Sequence, residues 1–474
     1  MEDMMMVWVG DIVPELVLLV GGVTVLLYSL AAPRRLQVGA ALIALATIVA
    51  ALAVSALMLD GPERLTFAGT YARDGAALWA KLIVLVATAA VIGLSIPWFR
   101  SDARHGEYYT LLLFSALGSI LLAGATDLME LVVALLLSSA TGYVLTAYHR
   151  RARPSAEAGI KYFLLGALTS AGMLLGVALL FGAGGTTTYA GAEPGLADGG
   201  PAVVAGAGLV VTALAFKMGS VPVHQWMPDV AEGAPAPVAA FVTAVPKVGG
   251  LVAVARFMVI LPEDALGWRP LVAVLAAATM TVGNLAALWQ DDVRRLLGWS
   301  AVSQTGYGLM GVVALGRSEL ALPSVLFFLV AYVLANIAAF GVVVELRGRT
   351  ALSDYDGLAA ARPLLAASLV VAFLSFIGIP PLAGFGAKLA LFATAIEAGY
   401  TWLAALAVIN TVVSIAYYAR VIAPMYFAPR MSQAVPVLGQ VAAFPTVACA
   451  LGVVAAGVAA EVFLNAFMPV SLLP

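Results

Sequence analysis

Charge and sulfur are what this chain of 474 residues has least of. Only 11% of its residues are charged, 63% are apolar, and the mean hydropathy is +1.03. A soluble globular chain is about half apolar and about a quarter charged. A chain this long and this apolar cannot bury its apolar surface within itself, so lipid is the expected solvent. The single cysteine, Cys449, excludes an internal disulfide and a Cys-ligated iron–sulfur cluster. The three histidines (His105, His149 and His224) do not pair at ligand spacing on one helix, which argues against a bis-His haem and a zinc site. No Walker A string is present, and Gly206-Ala-Gly208 lies in an apolar helical run without a preceding strand, so it reads as helix packing rather than nucleotide binding. The net charge of −2 averages over loops on two sides of a membrane and gives no support to nucleic-acid binding. A cleavable signal peptide is not expected, because the start carries Glu2, Asp3 and Asp11 instead of bases and no small-residue cleavage site follows.

What the chain does have is apolar runs. The expected fold class is an all-α polytopic membrane protein with about fourteen transmembrane helices, each needing roughly 20 residues. They fall near 12–31, 37–59, 76–98, 108–125, 127–148, 158–182, 201–231, 237–261, 268–289, 295–316, 321–346, 363–398, 401–427 and 438–467. The chain divides into a three-helix N-terminal segment (1–107), two five-helix units (108–261 and 268–427) and a C-terminal helix (428–474).

Arginine sets the orientation. With the N-terminus outside, the inner loops hold Arg34, Arg35, Arg100, Arg104, Arg150, Arg151, Arg153, Arg294, Arg295, Arg347, Arg349, Arg362 and Arg430. The outer loops hold only Arg64, Arg73, Arg269 and Arg317, so both termini are predicted on the periplasmic side.

Two runs are too long and too broken for simple spans: 201–231 at Lys217-Met-Gly-Ser-Val-Pro222, and 363–398 at Gly378-Ile-Pro-Pro-Leu-Ala-Gly384. Proline removes a backbone donor and glycine loosens the turn, so each predicts a discontinuous helix. Both occupy the fourth place of a five-helix unit. Paired breaks in two halves mark an inverted-repeat transporter with its working site beside the breaks; proline kinks in ordinary helices are the plainer alternative.

The five lysines (Lys81, Lys161, Lys217, Lys247 and Lys388) all fall inside or at the end of apolar runs, whereas arginine fills the loops. A charged side chain at mid-bilayer costs about 2.5–3.5 kcal/mol on insertion scales, so it faces protein or a wet cavity. Arginine stays charged when buried, but a buried lysine can take and give a proton. Lys217 and Lys388 sit at the two breaks, and Lys247 lies well inside its helix. These three are the candidate proton carriers, against a plain reading as structural ion pairs. Lys161, near the Arg-rich inner loop, is a candidate uptake residue or an interfacial snorkelling lysine. Lys81, close to an outer helix end, reads as snorkelling. His224 follows the first break and is either a possible relay or a hydrogen-bonded structural histidine.

These residues stand in longer strings. Phe216-Lys-Met-Gly-Ser-Val-Pro-Val-His-Gln-Trp-Met-Pro-Asp-Val-Ala-Glu-Gly-Ala-Pro-Ala-Pro237, running on to Lys247, resembles the antiporter-like membrane subunits of respiratory complex I. Gly378-Ile-Pro-Pro-Leu-Ala-Gly-Phe-Gly-Ala-Lys388 is similar to that family's second broken helix. Pro14-Glu-Leu, Glu157-Ala-Gly-Ile-Lys-Tyr-Phe-Leu-Leu-Gly166 and Asn410-Thr-Val-Val-Ser-Ile-Ala-Tyr-Tyr-Ala-Arg420 resemble the subunit N branch in particular. The resemblance covers nearly the whole chain. It implies fourteen helices, two inverted five-helix repeats, and a mid-membrane charged axis through Lys217, Lys247 and Lys388 with Lys161 in the uptake half-channel. It also implies a proton-translocating subunit of an NADH:quinone oxidoreductase in a bacterial inner membrane. Its partners would be other complex I membrane subunits and the bilayer, with FMN, iron–sulfur clusters and quinone held by partner subunits and no cofactor in this chain. The alternatives are a subunit of a related cation/proton antiporter, a membrane hydrogenase or a complex I-like paralogue, or a non-pumping structural subunit.

One departure stands out. The family's fifth-helix glutamate, which pairs with the lysine of the first broken helix, falls on Leu136. Glu130 lies about six residues, or roughly 9 Å of helix, closer to the outer side and is not expected to substitute. Lys217 is therefore expected to be more often neutral or paired elsewhere.

Overall fold

The structure is a computed structural model that describes residues 8–102, 105–429 and 440–474. Glu2, Asp3, Arg104 and Arg430, all used above, lie outside the described residues. The chain is helical almost throughout. The N-terminal segment holds α1 (Val13–Ala31), α2 (Val38–Leu57) and α3 (Gly75–Phe99), with a short hairpin between the last two, β1 (Arg64–Thr66) and β2 (Tyr71–Arg73). Next come α4 (Gly106–Gly124), α5 (Leu128–Thr146), α6 (Arg153–Gly184), α7 (Tyr189–Leu196), α8 (Pro201–Met218), α9 (Trp226–Gly233) and α10 (Ala236–Val259). The second set is α11 (Glu263–Leu266), α12 (Trp268–Ala287), α13 (Val293–Val313), α14 (Ala321–Glu345), α15 (Leu358–Ala361), α16 (Pro363–Ile377), α17 (Ala383–Glu397) and α18 (Thr401–Phe427). The chain closes with α19 (Gln440–Val458) and α20 (Ala460–Phe467).

Among the described residues, twelve helices are long and apolar enough to cross a membrane by length and composition. The two other expected spans are α13 and the split pair α16/α17. α13 carries Arg294, Arg295, Gln304 and a run of small polar residues, which lower its hydropathy without shortening it.

Capping fixes many ends. Asp74, Asp127 and Asp292 accept hydrogen bonds from first-turn amides of α3, α5 and α13, and proline opens α6, α8, α10 and α16. Both expected breaks occur. α8 ends at Gly219 (φ +72°) and α16 at Gly378 (φ +93°), left-handed conformations that favour glycine. Each break also carries a cis X-Pro bond, Val221–Pro222 and Pro380–Pro381.

The packing places α10 at the centre. It touches α3, α4, α8, α13 and α14, and Ala236 through Met258 are all buried. α19, which carries the buried Cys449, lies against α14 and α3 and joins the N-terminal segment to the second set of helices. Gly206 packs against the backbone of Gly176 where α8 crosses α6, as expected for a packing glycine, whereas Gly208 faces open space.

Lys81 does not snorkel. Its side chain is 2% exposed, and its amine lies 2.6 Å from Oε1 of Glu15, which also accepts the Tyr71 hydroxyl at 2.5 Å. The partner carboxylate comes from α1, so the spacing around Lys81 gave no sign of it.

Candidate functional site

A helix that stops inside a membrane leaves carbonyl groups that need donors, because no water replaces the missing turn. At the first break, Trp226 Nε1 donates to Phe216 O (3.0 Å), and the Ser220 amide returns to Ala215 O (2.8 Å). Ser220 Oγ lies 2.8 Å from Thr279 Oγ1 on α12, and that hydroxyl also accepts from the Val221 amide. Lys217, in the last turn of α8, is fully buried, and its amine donates to Ser139 Oγ on α5 at 3.1 Å.

The second break is built likewise. Lys388, in the second turn of α17, reaches back across the gap and donates to Phe376 O (2.6 Å) and Ile377 O (3.4 Å) at the end of α16. Its amine stands 3.8 Å from the centroid of the Tyr307 ring, a cation–π distance. Lys247, midway along α10, donates to Ala301 O (2.5 Å) on α13 and to the Tyr332 hydroxyl (3.1 Å) on α14; that hydroxyl donates onward to Thr243 O (2.8 Å).

Lys217, Lys247 and Lys388 are all inside the protein, and among the described residues none forms an ion pair. Structural ion pairing, the plainer reading, therefore does not describe them. Their partners are a hydroxyl, backbone carbonyls and an aromatic face. Such partners accept hydrogen bonds from an amine in either protonation state, so they orient it without fixing its charge. Leu136 does not face Lys217 from across the break: it is 41% exposed on the outward side of α5, and Ser139, one turn on, makes the contact. Glu130, in the first turn of α5, makes no ion pair with Lys217.

Lys161 lies elsewhere. Half exposed on α6, it pairs with Glu157 (2.7 Å) and Asp229 (3.1 Å); Asp229 also pairs with Arg295 (2.7 Å), which in turn binds Glu232 (2.7 Å). A crevice of about 610 Å³, open at the surface of α6, is lined by Lys161, Leu164, Leu165, Leu168, Gln225, Trp226 and Asp229. His224, in that break, is 8% exposed, rests against Trp299 (ring centroids 5.5 Å apart) and hydrogen-bonds to none of the lysines. Its Nδ1 is buried and makes no hydrogen bond among the described residues.

The geometry thus sets Lys247 and Lys388 against α13, holds Lys217 to Ser139 of α5 beside a carbonyl that α13 reaches, and leaves Lys161 and His224 outside this set. Sequence reasoning missed Ser139, Ala301, Gln304, Thr305, Tyr307 and Tyr332. The polar run Ser300–Thr305 inside an apolar helix was the available signal. No group of three metal-ligating side chains occurs among the described residues.

Residues 125–414 match the family described as "NADH:quinone oxidoreductase/Mrp antiporter, TM". NADH-quinone oxidoreductase subunit N of Mycobacterium sp. (strain JLS) is 43% identical over 426 residues, which cover 88% of either chain. Among solved structures, a chain of respiratory complex I from Thermus thermophilus superposes with a TM-score of 0.82 at 32% identity, covering 95% of this chain and 98% of that one. A chain of the Mrp complex from Dietzia sp. DQ12-45-1b has the same fold, with a TM-score of 0.86 at 22% identity over 97% and 96% of the two chains.

Proposed function

Because the chain belongs to the family of NADH-quinone oxidoreductase N subunits, we propose that it carries protons through Lys217, Lys247 and Lys388 while partner subunits carry the electrons. FMN, iron–sulfur clusters and quinone belong to those partners, and this chain supplies the route for the ion. The observation that carries the reading is three buried amines at and between two helix breaks, with no carboxylate paired to any of them among the described residues. An amine held by neutral acceptors can gain or lose a proton without stranding an oppositely charged partner, whereas removing one member of a buried ion pair is costly.

Protons enter from the arginine-rich side, where the Lys161–Asp229–Arg295 cluster borders the crevice that Gln225 also lines. They reach Lys217 past His224, pass to Lys247 and Lys388, and leave on the opposite side. The two five-helix units, 108–261 and 268–427, form the two halves of this route, related by inversion because each makes an odd number of crossings. The membrane is a bacterial inner membrane with both termini outside, and a tag at either end should be reached by a probe added from the periplasm.

The test is proton pumping by the whole complex in sealed vesicles. Lys217→Ala and Lys388→Ala in an assembled complex are expected to lower the number of protons moved per electron. Wild-type pumping in both would refute the route. The matched family's description names the Mrp antiporter beside NADH:quinone oxidoreductase, which favours one second reading, cation/proton exchange. In that case pumping would depend on the identity and concentration of the exchanged cation.

A further inference from the structure

Both breaks share a detail of the backbone. The carbonyl of Met218 would bond the amide of residue 222, and that of Phe376 the amide of residue 380, but both positions are proline. Each carbonyl therefore draws on donors from outside its helix; Phe376 O has the Lys388 amine, and both carbonyls meet one of two neighbours on α13. Thr305 Oγ1 donates to Met218 O at 2.8 Å, and Gln304 Nε2 donates to Phe376 O at 3.1 Å. One turn back, Ala301 O holds the amine of Lys247 at 2.5 Å. A single turn, Ala301–Thr305, thus touches Lys247 directly, the residue after Lys217, and the carbonyl that binds Lys388.

Thr305 faces a choice. Its hydroxyl has one hydrogen to give, and two acceptors lie in range: Met218 O at 2.8 Å and Ala301 O at 3.1 Å. The second is the ordinary threonine bond back to its own helix, four residues earlier. Ala301 O already accepts the helical amide of Thr305, and a carbonyl has two lone pairs. While Lys247 occupies the second, the hydroxyl is directed to Met218. When the amine leaves, the hydroxyl can turn home, and Met218 O loses its donor beside Lys217.

We propose that the Ala301–Thr305 turn couples the two helix breaks to Lys247, with the Thr305 hydroxyl as its moving part. Thr305 is a positioning residue: it moves no proton across the membrane, but it reports the presence of the Lys247 amine to the end of α8. Gln304 does the corresponding work at the second break, where its amide and the Lys388 amine share Phe376 O. The inference rests on the lysine route proposed above.

The experiment uses the assembled complex in sealed vesicles, with protons per electron as one readout and hydrogen–deuterium exchange of the 219–225 segment as the other. Thr305→Val keeps the shape and removes the donor. It is expected to lower pumping towards the level of Lys247→Ala and to speed exchange at 219–225, while Thr305→Ser restores both. Lys247→Ala is expected to speed the same exchange in the Thr305 background and to add nothing in the Thr305→Val background, because the signal passes through one hydroxyl. Additive effects on exchange would overturn the coupling, and so would wild-type pumping by Thr305→Val beside a defective Lys247→Ala. Wild-type pumping by Lys247→Ala and Lys217→Ala would overturn the lysine route itself. Should Thr305→Val fail to assemble, Gln304→Leu tests the same turn at the other break, and wild-type pumping there would overturn the proposal.

Discussion

Asp74→Asn is a small chemical change with a large expected cost. Asp74 and Arg256 are both 0% exposed and meet at 2.7 and 3.0 Å in a two-pronged pair. Oδ1 of Asp74 also accepts the Ala77 amide (2.8 Å), and Oδ2 the Leu473 amide (2.8 Å). Asparagine retains one oxygen, and it serves best toward Ala77 as the cap of α3. The new NH₂ group then points at the Arg256 Nη1 and Leu473 N–H groups, three donors converging where an acceptor stood. Arg256 keeps the Ala123 and Leu473 carbonyls but loses the one carboxylate it pairs with among the described residues. Breaking a buried pair from one side costs about 3–5 kcal/mol, which is roughly a hundred- to several-thousand-fold in the folding equilibrium. Unfolding of the purified subunit in mixed detergent and dodecyl sulfate, followed by tryptophan fluorescence, measures that shift. Adding Arg256→Met should recover most of it, since replacing both charges removes the stranded one. A cost below about 1 kcal/mol for Asp74→Asn, or a double variant worse than the single, would refute the assignment of this pair as a mutually dependent buried lock.

Two further outcomes follow from the site. Gly219→Ala forces a side chain into the left-handed region at φ +72° and against Met227, at a cost of about 1–2 kcal/mol; lower yield of intact complex with loss of pumping is the expected result, and a normal yield would show that the break relaxes elsewhere. Ser139→Asp places a carboxylate where the hydroxyl now lies 3.1 Å from the Lys217 amine; it should lock that amine in an ion pair and slow pumping, while Ser139→Ala leaves more of it.

Membership of the fold was legible because the signals are local. The apolar runs, the glycine–proline breaks and the lysines confined to helices need no partner to be seen, and the helices, both breaks and the burial of Lys217, Lys247 and Lys388 agree with them. What stayed hidden was pairing across distance. Lys81 meets Glu15 from another helix, and Arg256, lying inside α10, meets Asp74 across 182 residues. Leu136 marked the missing carboxylate by position, but only the helix face shows that it looks outward and that Ser139 takes its place. The role of α13 was masked in a similar way: its polar turn looks like a weak membrane helix until the carbonyls of two other helices are seen against it.

α10 carries Lys247 and is shut in by other helices along all but its last residue. For that lysine the lipid is therefore out of reach behind other helices. A thicker, thinner or more anionic bilayer changes what the rim helices feel, yet the central amine keeps the same neighbours. Vesicles of different lipid can then be expected to alter how fast protons arrive and depart at the edges while leaving the middle step untouched, so the choice of lipid separates the slow end of the route from its centre.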